Sequence, residues 1–159
     1  MHSMRVAVHL FLEQGGKVLL LRRANTGWED GNYSVVAGHV EAGETVSAAM
    51  IREAREEAGI TIHPGALLPV CVMHRRSSDE RIDYFFACCE WEGQVVNAEP
   101  HKCDDLSWFD PAALPPNVIP YIRRALANRQ TGRWFDEFGW DERRAPSPWR
   151  SRTNSALPS

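Results

Sequence analysis

Residues 38–60, GHVEAGETVSAAMIREAREEAGI, constrain this 159-residue chain more than any other stretch. Five glutamates and two arginines stand between two glycines. The first seven residues read as a turn-rich loop, and the rest as a helix from Thr45 to Ala58, with Gly59 where a C′ glycine would end it. At about 100° per residue, Glu56 and Glu57 fall within about 60° of Glu53 on either side. Ser47, Ile51, Ala54 and Ala58 form a separate arc of mostly small side chains suited to close packing on a sheet. Like charges one turn apart on an exposed helix cost only about 0.2–0.5 kcal/mol, so a solvated acidic face is one reading. In a partly enclosed site, charges 4 Å apart cost about 4 kcal/mol at an effective dielectric of 20, and a divalent cation would be required. A hard cation that prefers carboxylate and carbonyl oxygens and bridges phosphates is the second reading. Periodicity alone leaves both open.

The remaining chain supplies strands on which such a helix could lie. Met4 to Leu12 reads as a buried strand, Gly15-Gly16 as a hairpin turn and KVLLLRR as the returning strand. NTGWEDGN is a loop, and YSVVA a short strand that stops at Gly38. LLPVCVMH and RIDYFFACCEW are two more strands, WEGQVV is sheet or turn, and LSWF is a brief strand. Pro120 is placed to start the last helix, YIRRALANR. This order predicts one mixed α/β domain over 1–131, followed by a separate C-terminal segment, 132–159.

Composition excludes several function classes. A net charge of −3 offers no basic sheath for a nucleic acid polymer. No apolar run approaches the roughly 20 residues that span a bilayer, and the N-terminus lacks a signal-peptide pattern. Four cysteines, none in a C-x-x-C pair, read as buried thiols of a cytoplasmic protein, with Cys88 and Cys89 on opposite faces of a strand.

The spacing in residues 38–60 resembles the Nudix box, G-x5-E-x7-R-E-U-x-E-E-x-G-U, where U is bulky and aliphatic. Gly38, Glu44, Arg52, Glu53, Glu56, Glu57, Gly59 and Ile60 match, and Ala54 stands at a U position. The resemblance runs from about Val6 to Ala127. It implies the Nudix fold, a mixed sheet sandwiched between helices. It also implies hydrolysis of a nucleoside diphosphate linked to a group X, with Mg²⁺ or Mn²⁺. By resemblance Glu56 and Glu57 are the principal metal ligands, Glu53 is a ligand or the base, and the Ala37 carbonyl is a further ligand. Arg52 orients Glu44 and Glu56 rather than touching substrate.

Within the family the chain most resembles the MutT-type nucleoside triphosphate pyrophosphohydrolases, which release a monophosphate and pyrophosphate. This resemblance implies Glu99 as a further ligand or base, Arg23 and Arg81 as nucleotide contacts, Asn117 as a reader of a purine edge, and the box glycine Gly38 as a further substrate-binding residue. Asn117 also reads as a turn residue before the last helix, Arg81 as a solvated edge charge and Glu99 as an ordinary loop carboxylate. Val35-Val36 stand where Phe-Pro is expected, so 8-oxoguanine specificity does not follow. A nucleotide-sugar or ADP-ribose pyrophosphatase is the alternative, and a nucleotide-sensing domain without catalysis a distant one. The expected partner is a small-molecule nucleotide substrate, with no membrane and no nucleic acid polymer, and the protein itself is expected to be a monomer or homodimer. RWFDEFGW is expected to pack on the domain's own surface or, alternatively, to cap the nucleotide pocket or a partner subunit, and the polar tail after it to be disordered.

Overall fold

The computed structural model describes residues 1–140. Eight strands form one mixed sheet: β1 Arg5–Gln14, β2 Lys17–Arg23, β3 Tyr33–Ser34, β4 Val36–His39, β5 Leu68–Arg76, β6 Glu80–Cys88, β7 Cys103–Phe109 and β8 Phe135–Phe138. The main path runs β3-β2-β1-β6-β5-β8, with β4 on β1 and β7 on β2. Helix α1 is Val46–Ala58 and helix α2 is Pro120–Thr131.

β1 organises everything else. It pairs along its length with β6 in parallel, with β2 only at its hairpin end, and with β4 at Ala7–Leu10. Strands covered on both faces read as continuous apolar runs, and Ala7 to Leu12 are all buried. Side-chain alternation then divides two cores. Val8, Leu10, Leu12, Leu19 and Leu21 pack with Met50, Ala54 and Ala58 of α1. Phe11, Val18 and Leu20 pack with Tyr121, Ile122, Ala125 and Leu126 of α2. The sheet is thus sandwiched between the two helices, as expected.

Local chemistry sets the helix ends. The Thr45 hydroxyl accepts from the Ala48 amide, and Gly59 closes α1 at φ 68°, a left-handed geometry glycine adopts freely. Pro120 opens α2 and Gly132 ends it at φ 75°. Both follow the sequence reading.

WEGQVV, read as sheet or turn, forms no strand; Thr61 and Glu92 make a single bridge there. Three expectations change. YSVVA divides into β3 and β4, which pair with different neighbours. Cys71, Cys88 and Cys103 are buried but Cys89 is exposed, because alternation turns it away from Cys88. Lastly, the chain after α2 returns to the sheet, where β8 pairs in parallel with β5 from Val72↔Phe135 to Arg75↔Phe138. Asp136 anchors that strand: fully buried, it accepts from Asn128 at 2.9 Å and pairs with Arg124 and Arg133, each at 3.2 Å. Trp140 lies against the His74 ring and donates to the His74 carbonyl at 3.2 Å, whereas Trp134 is exposed. The expected tail beyond residue 140 lies outside the described residues. No helix among them is long and apolar enough to cross a membrane.

Candidate active site

A cleft of about 710 Å³ gathers residues from α1, β1, β2, β4, β5, β6, α2 and the loops after β2 and β6, within the usual size range for a small-molecule site. Glu53, Glu56, Glu57 and Glu99 line it, as do Ala37, Gly38, Arg23 and Arg81.

The helix reaches this cleft differently from the wheel expectation. Ser47 is exposed, and the buried residues of α1 are Ala49, Met50, Ala54 and Ala58. Ala49 and Met50 flank Glu53 on the wheel, so the packing arc and the carboxylate arc overlap instead of facing apart. Glu53 and Glu57 are therefore partly buried, while Glu56 remains exposed.

Electrostatics follow from that placement. Burial pushes the Glu57 carboxyl well above the ordinary carboxylate range; the Ala37 amide, donating to Oε2 at 2.8 Å, pulls it down, and Glu53 and Glu99 push it up. Burial also raises Glu53, against the pull of Arg52. Arg52 is the hub. Its Nε and Nη2 donate to the two Glu44 oxygens at 2.7 and 3.0 Å, and its Nη1 donates to Glu53 at 2.8 Å and Glu56 at 3.3 Å. Nη2 also donates to the His39 carbonyl at 3.1 Å, tying helix to β4. The Glu44 bond above all, together with Glu53, raises the Arg52 pKa. Neither Glu44 nor Arg52 lines the cleft.

Gly38 has a spatial reason to be glycine. A Cβ there would lie 2.1 Å from the Glu53 carboxylate carbon. The bare backbone lets α1 bring Glu53 against β4.

The donor set suits a hard divalent cation. Glu53, Glu56, Glu57 and Glu99 bring four carboxyls to the cleft with the Ala37 backbone alongside, while Arg52 pairs with Glu53 and Glu56 from outside the cleft and Lys102 lies beside Glu99. Arg52 holds Glu53 and Glu56, the Ala37 amide holds one oxygen of Glu57, and among the described residues no three His, Cys, Asp or Glu side chains are grouped so as to hold a metal ion.

The other sequence candidates fall in two groups. Arg23 lines the cleft, donates to the Trp28 carbonyl at 2.8 Å and the Thr26 hydroxyl at 2.9 Å, and lies 4.9 Å over the Trp28 ring. Arg81 is held by Asp79 at 2.9 Å and reaches His39 at 3.2 Å. Glu99 lies 3.6 Å from Lys102. Asn117 is not among the cleft-lining residues; its amide donates to the Gly31 carbonyl at 2.8 Å, and its own carbonyl accepts from Tyr33. These bonds tie the loop before α2 to the loop after β2.

Sequence reasoning missed a second cluster at the cleft. His9, Arg75 and Tyr121 line it, and Trp28, 43 % exposed, stands in its wall. Asp83, fully buried, accepts from His9 Nε2 at 3.1 Å and from Arg75 Nε at 2.6 Å. Burial alone would push the Asp83 carboxyl up; the His9 hydrogen bond and the Arg75 charge outweigh it and hold it at about 2. One signal was available, a histidine and an aspartate each set singly in an apolar strand, but their pairing needs the parallel β1–β6 register.

The NUDIX domain profile matches residues 1–135. The NAD-capped RNA hydrolase NudC of Stutzerimonas stutzeri is 28% identical over 129 residues, covering 78% of this chain and 45% of that protein. Human 8-oxo-dGDP phosphatase NUDT18 is 38% identical over 135 residues, covering 80% of this chain and 40% of that protein. The chain thus spans less than half the length of these relatives. Among solved structures, a MutT NUDIX hydrolase from Burkholderia pseudomallei superposes with a TM-score of 0.74 at 25% identity, over 80% of this chain and 98% of that one. Box, fold and profile agree, and the chain belongs to the NUDIX family.

Proposed function

We propose that this cleft hydrolyses a nucleoside diphosphate linked to a further group X, with Mg²⁺ or Mn²⁺ as cofactor. The leading substrate is a nucleoside triphosphate, cleaved to a monophosphate and pyrophosphate. One observation carries the reading: four carboxylates and the Ala37–Gly38 backbone line the same cleft as Arg23, Arg81 and an exposed tryptophan. Carboxylates serve cations and water, arginines serve phosphates, and an indole serves a flat base. The names of the relatives, an NAD-capped RNA hydrolase and an 8-oxo-dGDP phosphatase, support a nucleotide substrate cut at a phosphoanhydride.

Glu53, Glu56, Glu57, Glu99 and the Ala37 carbonyl would hold the cation, which supplies charge neutralisation at the phosphate oxygens and acidifies water. Arg52 keeps Glu53 and Glu56 aimed at the cleft, while Glu44, gripped by two bonds, fixes Arg52. Arg23 and Arg81 bring cationic donors to the phosphate chain. The proton of the attacking water goes to a carboxylate oxygen of Glu53, Glu57 or Glu99.

The test is a substrate panel with Mg²⁺: canonical and oxidised triphosphates, nucleotide sugars, ADP-ribose and dinucleotides. Pyrophosphate plus a monophosphate from a triphosphate is the expected result. Two phosphomonoester products from ADP-ribose or a nucleotide sugar, with triphosphates untouched, would replace the leading substrate. Binding of panel members with no turnover would replace hydrolysis by sensing.

A further inference from the structure

One large ring is held open to the cleft by a loop built around it. Trp28 lines the cleft and stays 43% exposed, whereas Trp134, also exposed, does not line it. The Arg23 guanidinium lies over the indole, 4.9 Å from the ring centre, and the buried Tyr121 ring meets it at 6.4 Å with a 40° tilt. Those two neighbours fix the indole and leave much of its surface bare.

The loop spends its polar groups on that placement. Asp30 accepts from the Gly27 amide at 2.9 Å, the Thr26 amide at 3.1 Å and the Thr26 hydroxyl at 2.5 Å. Arg23 donates through Nε to the Trp28 carbonyl and through Nη2 to the Thr26 hydroxyl. Asn25 and Glu29 stand at φ 56° and 52°, left-handed backbone that residues other than glycine adopt at a cost. Such strain persists where surrounding bonds over-determine it, and it concentrates at ligand sites. Asn117, from which contact with a purine edge was expected, is not among the cleft-lining residues, and its amide is held by the Gly31 carbonyl.

We infer that Trp28 is the base platform of this cleft, taking a purine or a pyrimidine by stacking on its bare ring surface, so that a flat base is required and its identity is not. The inference rests on the nucleotide reading above and deepens it. Every base has a π-face, so stacking supplies affinity without reading a pattern of donors and acceptors. Toward the base, Arg23 and Asp30 are positioning residues that act through Trp28. Arg23 Nη1, without a partner among the described residues, is left for phosphate.

A nucleotide series set against a base-free ligand tests it. With Mg²⁺, dissociation constants are measured for the α,β-methylene analogues of ATP, GTP, CTP and UTP and for inorganic tripolyphosphate. For the four triphosphates themselves, kcat and KM are measured. In the parent protein the four analogues should bind within about tenfold of one another, and all more tightly than tripolyphosphate. Trp28→Leu should weaken all four by about tenfold, in Kd and KM more than in kcat, while tripolyphosphate binds as before. Trp28→Phe should recover most of that loss. Asp30→Ala should reproduce part of it and add little in the double variant, because both changes act on one contact. In the parent, the Trp28 indole N–H signal should move with all four analogues and stay in place with tripolyphosphate. A loss confined to one base, an equal loss for tripolyphosphate, or a parent that prefers one base by more than about a hundredfold overturns the inference and leaves hydrolysis intact. Trp28-dependent binding of all four analogues without turnover of any triphosphate supports it and overturns the triphosphatase reading instead. An indole signal that no nucleotide moves overturns it even if no variant folds.

Discussion

Two clusters of buried charge share one cleft, and their carboxyls respond to burial in opposite directions. At the helix, Glu53 and Glu57 are pushed upward because burial exceeds what one arginine and one backbone amide return. At the sheet, Asp83 is even more buried yet held at about 2, because His9 and Arg75 satisfy it. The comparison separates two uses of the same chemistry. A carboxylate closed by its own protein partners stabilises a fold; one that its partners satisfy only in part is available to a cation and a proton.

The largest effect expected from breaking this contrast is on the sheet side. Asp83→Ala leaves the Arg75 guanidinium buried and unpaired and should cost about 3–5 kcal/mol of stability. Urea unfolding would measure it, and a loss below about 1 kcal/mol would show that the pair is not closed as described.

On the helix side the cost should fall on activity. Glu57→Gln removes an anionic ligand and should lower turnover at least ~100-fold at saturating Mg²⁺. Without metal, its melting temperature should equal or exceed the parent value, because a crowded negative charge is gone. Turnover close to that of the parent would sink the role assigned to Glu57.

Acid sharpens the same distinction. The folded-state pKa of Asp83 lies below its unfolded value, so its contribution is present above the ordinary carboxylate range and is lost as pH falls towards about 2. That contribution is roughly 2 kcal/mol from the separation of the two values. The difference in unfolding free energy between the parent and Asp83→Asn, followed from pH 6 to pH 2, should shrink steadily. A difference that stays constant would contradict a depressed Asp83.

The smallest effect tests how close helix and strand must come. In Gly38→Ala the new methyl meets the tip of the Glu53 side chain, not backbone, and Gly38 has no positive φ. Stability should change by less than about 1 kcal/mol, while turnover should fall about tenfold because Glu53 is displaced. Equal turnover in the two proteins would mean that Glu53 works from elsewhere.

Legibility in the sequence followed the range of the interactions. α1 could be read because its cap, periodicity and terminating glycine all lie within residues 45–59. The depth of its carboxylates could not, since that depends on how Met50 and Ala49 seat against the sheet. β8 escaped notice because four residues with one aspartate carry no strand signal until Asn128, Arg124 and Arg133 surround Asp136. His9, Arg75 and Asp83 were legible as residues but not as a cluster.

The sequence by itself determined the family, the two helices, most strands and the set of glutamates, because spacing along one chain encodes local geometry and the box is contiguous. Tertiary structure alone decided which carboxylates are buried and that Arg52, besides gripping Glu44, reaches Glu53. It alone brought His9 beside Asp83, residues 74 apart in the chain, through the parallel pairing of β1 and β6. Register between distant strands is set by the packing of both sheet faces at once, and no short motif carries that information.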